Sequence, residues 1–200
     1  MQAIIIKSGF LPILLLMVVS TSKAQEAKEW TLDKAHTSVT FAVKHFFTNV
    51  NGIFTEYDGT FNFDPDNLSN SKITFISPVS SINTNNKKRD ADLVSDNFFN
   101  AEKYPEIKFV STNFEKKSDS EFIAHGDLSI KDVTKKVAIP FEITGLMEHP
   151  MMEGITLIGL SFNSSLNRTD YKVGTGNFTN TLVVGDNVDI EINFELNRKE

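Results

Sequence analysis

Alternation of apolar and polar residues with a period of two dominates most of the chain. It is clearest near the end, where Val188, Ile190, Ile192, Phe194 and Leu196 alternate with polar residues. The same pattern recurs at 39–43, 61–63, 73–75, 107–109, 122–130 and 137–143. Each stretch predicts a β-strand with one buried face and one face in water.

Turn-forming residues separate these stretches and predict hairpin connections between them. They are Asp58-Gly59, Asp64-Pro65-Asp66, Asn70-Ser71, Asp119-Ser120, Lys131-Asp132, Glu153-Gly154 and Gly185-Asp186. We therefore predict an all-β fold, an eight-stranded antiparallel up-and-down barrel, because closing the sheet removes its exposed edges. A two-sheet sandwich is the alternative.

One segment, near residues 86–99, departs from the strand pattern and predicts a short helical insertion. Asn85 or Asn86 can cap a helix that runs through Val94, and Ser95 can cap a further turn. Pro105 then stops any helix. We expect this segment to cover one end of the barrel.

Residues 1–24 differ in kind from the rest of the chain. Lys7 precedes an apolar run from Phe10 to Val19, and small residues follow at Ser22 and Ala24. The uncharged run is shorter than the roughly 20 residues that span a bilayer. The pattern therefore predicts a removed signal peptide, no membrane span, and a single domain over 25–200 that is secreted across the inner membrane to a periplasmic or extracellular location.

Composition excludes several classes of protein. The 200-residue chain has no cysteine, so neither disulfides nor thiolate metal ligands are available. Its net charge of -6, with scattered Lys and Arg, shows no basic face for nucleic acid. The histidines His36, His45, His125 and His149 are dispersed and form no metal-binding motif. We predict no metal and no cofactor.

A catalytic interpretation would depend on His36 and Ser38, which share one face of a predicted strand near Asp33. The sequence shows no nucleophile elbow, Gly-rich oxyanion loop or third orienting group to support it. We therefore predict that the protein is not an enzyme and keep an envelope hydrolase acting on a lipid as an alternative.

Several sequence blocks carry a family resemblance. They are Asp33-Lys34-Ala35-His36-Thr37-Ser38-Val39, Val50-Asn51-Gly52-Ile53-Phe54, Ser81-Ile82-Asn83-Thr84, the segment from Arg89 to Phe109, Gly126-Asp127-Leu128-Ser129-Ile130 with Val133-Thr134-Lys135, and Arg168-Thr169-Asp170-Tyr171. From about Trp30 to Leu196 the chain resembles the YceI-like family of lipocalin-like secreted proteins. The resemblance implies a barrel around an apolar tunnel that holds a polyisoprenoid or similar long-chain amphiphile, no catalysis, and a candidate homodimer.

The chain departs from the family pattern at two places. Asp92 stands where that family usually has a histidine, so no role of that histidine can be transferred. Tyr171 stands where phenylalanine is common, and the loop 172–174 after it is a variant. Both changes concern the details of a ligand and leave the barrel pattern intact.

The 17 phenylalanines, against three tyrosines and one tryptophan, suit an apolar interior. Rings that simply fill the core are the alternative, and the resemblance selects a hollow barrel instead. The predicted tunnel lining and lid are Val39, Phe41, Val43, Phe61, Phe75, Leu93, Phe98, Phe99, Phe109, Leu128, Ile139, Phe141, Ile190, Ile192 and Phe194. Candidate head-group contacts are His45, Arg89 and Arg168. The alternatives are a solvated strand end for His45 and ties to Asp90 or Asp170 for the arginines.

These observations favour a secreted protein that sequesters or carries a long-chain hydrophobic small molecule. Candidate ligands are a polyisoprenoid, an isoprenoid quinone and a fatty-acid derivative. A filled barrel that acts in stress or in protein interactions and binds nothing is the third alternative.

Overall fold

The computed structural model describes residues 27–174 and 176–199, so the predicted signal peptide lies outside the described residues. Within them, eleven strand segments form one antiparallel sheet. They are β1 (Glu29–Leu32), β2 (Ser38–His45), β3 (Thr48–Phe54), β4 (Asp58–Asn62), β5 (Lys72–Pro78), β6 (Ile82–Asn83), β7 (Glu106–Lys116), β8 (Glu121–Ile130), β9 (Val133–Glu148), β10 (Ile155–Asn167) and β11 (Val184–Lys199).

The eleven segments make eight barrel strands, because three strands are interrupted. β1 and β2 form one barrel strand, because both pair with β11. The next strand consists of β4, which pairs with β1, and β3, which pairs with β2. The third consists of β5, which pairs with β4, and β6, which pairs with β3. A turn at 33–37 and a 3-10 helix at Val79–Ser81 cause two of the breaks. The prediction of an eight-stranded antiparallel barrel is confirmed, and the sandwich is not.

Every strand pairs with its neighbours in the sequence, and the first strand closes the ring against the last. Trp30 is paired with Phe61 on one side, and Thr31 is paired with Asn197 on the other. This meander needs only hairpin connections, which is why the alternation and turn chemistry of the sequence are sufficient to indicate it.

The barrel has two different ends. The closed end carries the connections 63–71, 117–120 and 149–154, and the lid end carries 46–47, 84–105, 131–132 and 168–183. Rings fill the closed end: Phe63 contacts Phe114, Phe122 and Phe141 with centroids 5.5, 5.7 and 5.6 Å apart. These tilted and edge-to-face contacts are the arrangements that aromatic rings prefer.

The predicted helical insertion is the main element of the lid end. Helix α1 (Lys87–Val94) begins after Asn86, whose side chain accepts a hydrogen bond from the backbone N–H of Arg89. A compact turn follows, in which the N–H of Phe98 donates to the Ser95 carbonyl. Phe98 is buried with Ile130, Tyr171 and Val173 in a second apolar cluster that covers this end.

Three details of the sequence interpretation are wrong. Asp58-Gly59 begins β4 rather than turning, and a Cβ on Gly59 would collide with the Thr74 carbonyl of β5. Gly185-Asp186 lies inside β11 at a register shift against β2. The alternation also misses β10, because Ile155, Leu157 and Gly159 make both faces of its first half apolar or small.

Candidate functional site

The barrel interior is hollow in the half nearest the lid end. A cavity of about 390 Å³ lies between the rings of the closed end and the underside of the lid. Its volume is within the roughly 300–1,000 Å³ range of ligand pockets in proteins. The centre is therefore not filled by its own side chains, which was the alternative to a ligand-binding barrel.

Most residues predicted for the lining are on the cavity wall. The strands contribute Val39, Phe41, Val43, Phe75, Phe109, Leu128, Ile139, Ile190, Ile192 and Phe194, and the lid contributes Leu93, Phe98 and Phe99. The strand residues share one parity along their strands, which directs their side chains inward. Whether they contact a ligand remains a prediction.

Phe61 and Phe141 are not on this wall, contrary to their predicted positions. Phe61 is 1% exposed, and its ring packs against Phe194. Phe141 stacks on Phe122 and Phe162 with centroids 5.4 and 4.8 Å apart. Both residues have the inward parity but belong to the filled half, and parity alone does not tell how far along the barrel a residue lies.

The sequence interpretation missed several wall residues. They include Phe54, Ile82, Ile107, Ile130, Val137, Phe162, Leu166, Tyr171, Val173, Val184 and Val188. Val137 and Val188 lie in the inward phase of alternations that were already recognised, so including every residue of that phase in the lining would have found them. Phe162 and Leu166 lie on β10, the strand that the alternation did not show.

Phe41 and Gly52 shape one side of the wall. The two residues are opposite each other on β2 and β3, and the Phe41 ring occupies the space that a Cβ on Gly52 would take. Phe41 also contacts Phe54 at 5.8 Å between ring centroids. The absence of a side chain at Gly52 therefore lets the Phe41 ring lie against the sheet instead of across the cavity.

Arg168 is buried at the edge of the cavity and holds the loop before β11. Its guanidinium donates to the carbonyl oxygens of Val173 (2.8 Å), Phe178 (2.8 Å), Val184 (2.9 Å) and Gly185 (2.9 Å). Burial lowers the pKa of Arg168, but a guanidinium stays protonated in proteins. These donors serve the backbone, which favours the loop-tie alternative over a head-group contact.

The carboxylate partner of Arg168 is not Asp170, the residue that the loop-tie alternative named. Its carboxylate neighbour is Asp186, with Nη2 and Oδ1 3.4 Å apart. Asp170 instead pairs with Lys135, with 2.8 Å between Nζ and Oδ2. The tie is therefore to the irregular start of β11 rather than to the short 3-10 turn that contains Asp170.

Arg89 and His45, unlike Arg168, are not on the cavity wall. Arg89 donates from Nε to the hydroxyl of Thr84 and from Nη2 to the Thr84 carbonyl, so it ties helix α1 to the preceding loop. His45 is exposed at the end of β2, where its ring meets the edge of Phe46 at 4.6 Å. Both placements fit the structural alternatives, with Thr84 in place of Asp90 for Arg89.

Lysine side chains fasten the lid segments to each other. Lys131, in the turn between β8 and β9, donates from Nζ to the carbonyls of Phe98 (2.7 Å) and Lys172 (2.8 Å). Burial lowers the pKa of this Lys131 ammonium. Lys172 reaches Asp132 at 2.9 Å, and this pair raises the pKa of Lys172 and lowers the pKa of Asp132.

Of the residues of the catalytic alternative, His36 and Asp33 form an ion pair on the outer surface, in the turn before β2, whereas Ser38 is the first residue of β2. His36 Nδ1 lies 3.0 Å from Asp33 Oδ2 and 3.6 Å from Glu195 Oε1. The hydrogen bond to Asp33 raises the pKa of His36, and the same bond lowers the pKa of Asp33. The imidazole thus faces two carboxylates, an arrangement that stabilises its protonated form.

Within residues 27–174 and 176–199, no helix is both long enough and apolar enough to cross a bilayer.

Comparison with known proteins assigns the fold and the family. The model of the YceI-like domain matches residues 30–196, which is most of the chain. The chain belongs to the YceI-like family. The family resemblance noted in the sequence is therefore confirmed, over the range that the sequence blocks indicated.

Curated relatives of this YceI-like protein come from several bacteria. A UPF0312 protein of Shewanella denitrificans is 37% identical over 130 residues, which cover 64% of this chain and 68% of that protein. A UPF0312 protein of Pseudomonas savastanoi pv. phaseolicola is 33% identical over 173 residues, covering 84% and 86%.

Solved structures show the same barrel. The Campylobacter jejuni YceI protein is 36% identical with a TM-score of 0.68, covering 86% of this chain and 99% of that one. BcnA of Burkholderia cenocepacia is 22% identical with a TM-score of 0.73, covering 84% and 100%. A polyisoprenoid-binding domain from Saccharophagus degradans is 10% identical with a TM-score of 0.63, covering 86% and 98%. The last two share the fold alone.

Proposed function

We propose that this protein is a secreted, non-enzymatic binding protein that holds the apolar tail of a long-chain amphiphile inside its barrel. The observation that carries the proposal is the cavity of about 390 Å³, whose wall is almost entirely aliphatic and aromatic. The signal-like pattern of residues 1–24 supports export to the periplasm or the exterior.

The chemistry of the wall favours a hydrocarbon tail over a polar ligand. Polar wall residues are few, and three of them already have backbone partners: Ser77 donates to the Glu56 carbonyl, Thr40 donates to the Glu191 carbonyl, and Arg168 serves the loop before β11. A charged or strongly polar ligand would lose its hydration there without new partners. An apolar tail has no hydrogen bonds to water that it would lose on entering the cavity.

The free energy for such a ligand can come from burial alone. Transfer from water gives about 0.8 kcal/mol per CH₂ group, so one five-carbon isoprene unit contributes on the order of 4 kcal/mol before ordering costs. The same argument predicts weak discrimination by tail length or saturation. A polyisoprenoid, an isoprenoid quinone and a fatty-acid derivative all satisfy it, and the Saccharophagus domain with this fold is described as polyisoprenoid-binding.

Depth along the barrel limits how much tail can be enclosed. Beyond its irregular start at Val184, the wall on β11 runs from Val188 to Phe194, six residue steps or about 20 Å along the strand. Strands in such barrels tilt by roughly 35–45°, which leaves about 15 Å along the barrel axis. The filled closed end then stops the tail, so the rest of the ligand must lie toward the lid.

Extraction with organic solvent tests the proposal directly. Protein purified from its own host should release a lipid, identified by mass spectrometry, in an amount that approaches one per chain. Lipid-free extracts from independent preparations of folded protein would contradict it. A tail-containing lipid that is chemically altered during incubation would instead support the enzyme alternative.

A matched pair of variants locates the lipid. Leu128→Trp adds a ring at an inward position of β8 that lies on the cavity wall. Ile123→Trp adds the same ring at an outward position of the same strand. We expect Leu128→Trp to lower the extracted lipid strongly and Ile123→Trp to leave it unchanged.

A further inference from the structure

Two phenylalanines project from the tip of the β2–β3 hairpin at the lid end. His45 is paired with Thr48, so Phe46 and Phe47 form the two-residue turn between the strands. Phe46 is 51% exposed and Phe47 is 96% exposed. The Phe46 N–H donates to the Val183 carbonyl (3.2 Å), so Leu182, the residue before Val183, lies near this turn. Leu182 is 78% exposed. Phe46, Phe47 and Leu182 are called the apolar rim below.

The backbone of this turn makes phenylalanine an unfavourable choice. Phe46 has a φ of 50°, in the left-handed region where two-residue hairpins favour Asn, Asp or Gly. A bulky side chain is strained there, and the exposed half of Phe46 contributes no burial energy to offset the strain. Strain of this kind in a well-defined turn is a reason to look for a function of the side chains rather than for a role in folding.

The rim adjoins the cavity. Val43, three residues before Phe46, and Val184, which is paired with His45, are both on the cavity wall. The apolar surface therefore runs from the inside of the barrel to its outside at this edge. At the same edge the register of β11 against β2 shifts between Val184 and Val188, which breaks the regular ladder.

Charge at the tip favours an anionic surface. The stretch 38–55, which contains both strands of the hairpin, carries Lys44 as its one charged side chain and no Asp or Glu, although the chain as a whole has a net charge of -6. The side chains of Lys44 and His45 are exposed beside the two phenylalanine rings. Aromatic rings flanked by basic residues are typical of segments that rest in the interface of a phospholipid bilayer.

We propose that the apolar rim docks the barrel on a phospholipid bilayer, with Phe46, Phe47 and Leu182 inserted among the headgroups and the lid end facing the membrane. The inference rests on the proposed function, since a cavity that takes lipid tails requires contact with a lipid source. Docking in this orientation places the edge where Val43 and Val184 reach the cavity wall against the bilayer, so that a tail can pass without crossing water.

The closed end provides a matched control. Met151, in the β9–β10 hairpin, is 86% exposed, yet it lies at the opposite end of the barrel, which the aromatic rings fill. Nonspecific binding of vesicles by any exposed apolar residue would depend on Met151 as much as on Phe47. Docking by the apolar rim would depend on Phe47 and not on Met151.

Co-sedimentation of the mature chain with vesicles tests the proposal, using phosphatidylcholine alone and phosphatidylcholine mixed with phosphatidylglycerol. We expect binding that is stronger to the anionic vesicles. Phe47→Ser should weaken it roughly tenfold or more, as expected when one ring no longer leaves water. Met151→Ser should bind like the natural chain.

Phe46→Asn separates docking from folding. Asn is favoured at this φ, so the variant should unfold at the same or a higher denaturant concentration while its binding to vesicles falls. Equal losses in Phe47→Ser and Met151→Ser, or no vesicle binding by the natural chain, would overturn the proposal. A dimer in sedimentation velocity that Phe47→Ser dissociates, without vesicle binding, would assign the rim to a second copy instead.

The same variants distinguish this proposal from the proposed function. Leu128→Trp should still bind vesicles while its extracted lipid falls. Natural protein that holds lipid but does not bind vesicles would refute docking and leave the carrier function in place. Natural protein that binds vesicles but never holds lipid would refute the carrier function.

Discussion

The guanidinium of Arg168 donates from Nη2 to the carbonyl oxygen of Val184 across 2.9 Å, at the point where β11 loses its register with β2. A strand that begins irregularly leaves carbonyl groups without ladder partners, and buried ones must find donors elsewhere. Arg168 supplies these donors from a single planar group with five N–H bonds. The cavity edge formed by Val184 therefore depends on one side chain outside the strand.

We expect Arg168→Ala to lower the free energy of unfolding by about 3–5 kcal/mol, because several buried carbonyls lose their donors at once. Arg168→Lys should recover only part of this loss, since an ammonium cannot reach all of the carbonyls. Urea unfolding measures both. Lys135→Ala, which removes the exposed pair with Asp170, should cost no more than about 1 kcal/mol. Comparable losses in the two alanine variants would contradict this role of Arg168.

Phenylalanines of the two halves of the barrel should differ in their contributions to stability and to lipid binding. Phe141 is 4% exposed among other rings, so Phe141→Ala should cost about 3–5 kcal/mol of stability. Phe41 is half-buried against the cavity, so Phe41→Ala should cost less, about 1–2 kcal/mol. Extracted lipid per folded chain should fall for Phe41→Ala and hold for Phe141→Ala. The opposite ranking would place the ligand in the closed end.

The same contrast explains what the sequence could and could not predict. A period of two indicates that Phe41 and Phe141 both point inward, because alternation depends only on the local backbone. Which of them faces a cavity depends on how rings from Phe63, Phe114 and Phe162 meet across the barrel. Those contacts join residues far apart in sequence, and no local pattern records them.

Polar candidates were harder to predict than apolar ones for a related reason. Helix α1 and its Asn86 cap follow from residues within one turn of each other, and the structure has them as predicted. The partners of Arg168 lie 5 to 18 positions away, in an irregular loop and in the irregular start of β11. Bonds of that kind depend on the path of the loop, which composition and spacing do not determine.

A substitution at Gly52 would narrow the cavity without replacing any residue of its wall. An added Cβ would collide with the Phe41 ring, so Gly52→Ala should turn that ring into the cavity and lower the extracted lipid. Phe41→Ala in the Gly52→Ala background should relieve the collision and give a stability cost smaller than the sum of the two single changes. Gly145→Ala is the control, because no atom lies within 4 Å of a Cβ there. Additive costs would show that Phe41 and Gly52 do not interact.

The pair of His36 and Asp33 predicts a small pH dependence of stability. The hydrogen bond to Asp33 raises the pKa of His36, so its contribution is complete below the unfolded value of about 6.5 and is lost as the pH rises through the higher folded value. The lowered pKa of Asp33 acts in the opposite sense: its contribution is present above the unfolded value of about 3.8 and is lost as the pH falls through the folded value. We therefore expect the natural chain to gain stability relative to His36→Gln as the pH falls from about 8 to about 5.5. Denaturant unfolding of both proteins at the two pH values measures the difference, and a stability gap that does not change with pH would show that the pair is not formed in solution. An NMR titration of the His36 ring should agree, with a midpoint that falls toward the ordinary histidine value in Asp33→Asn.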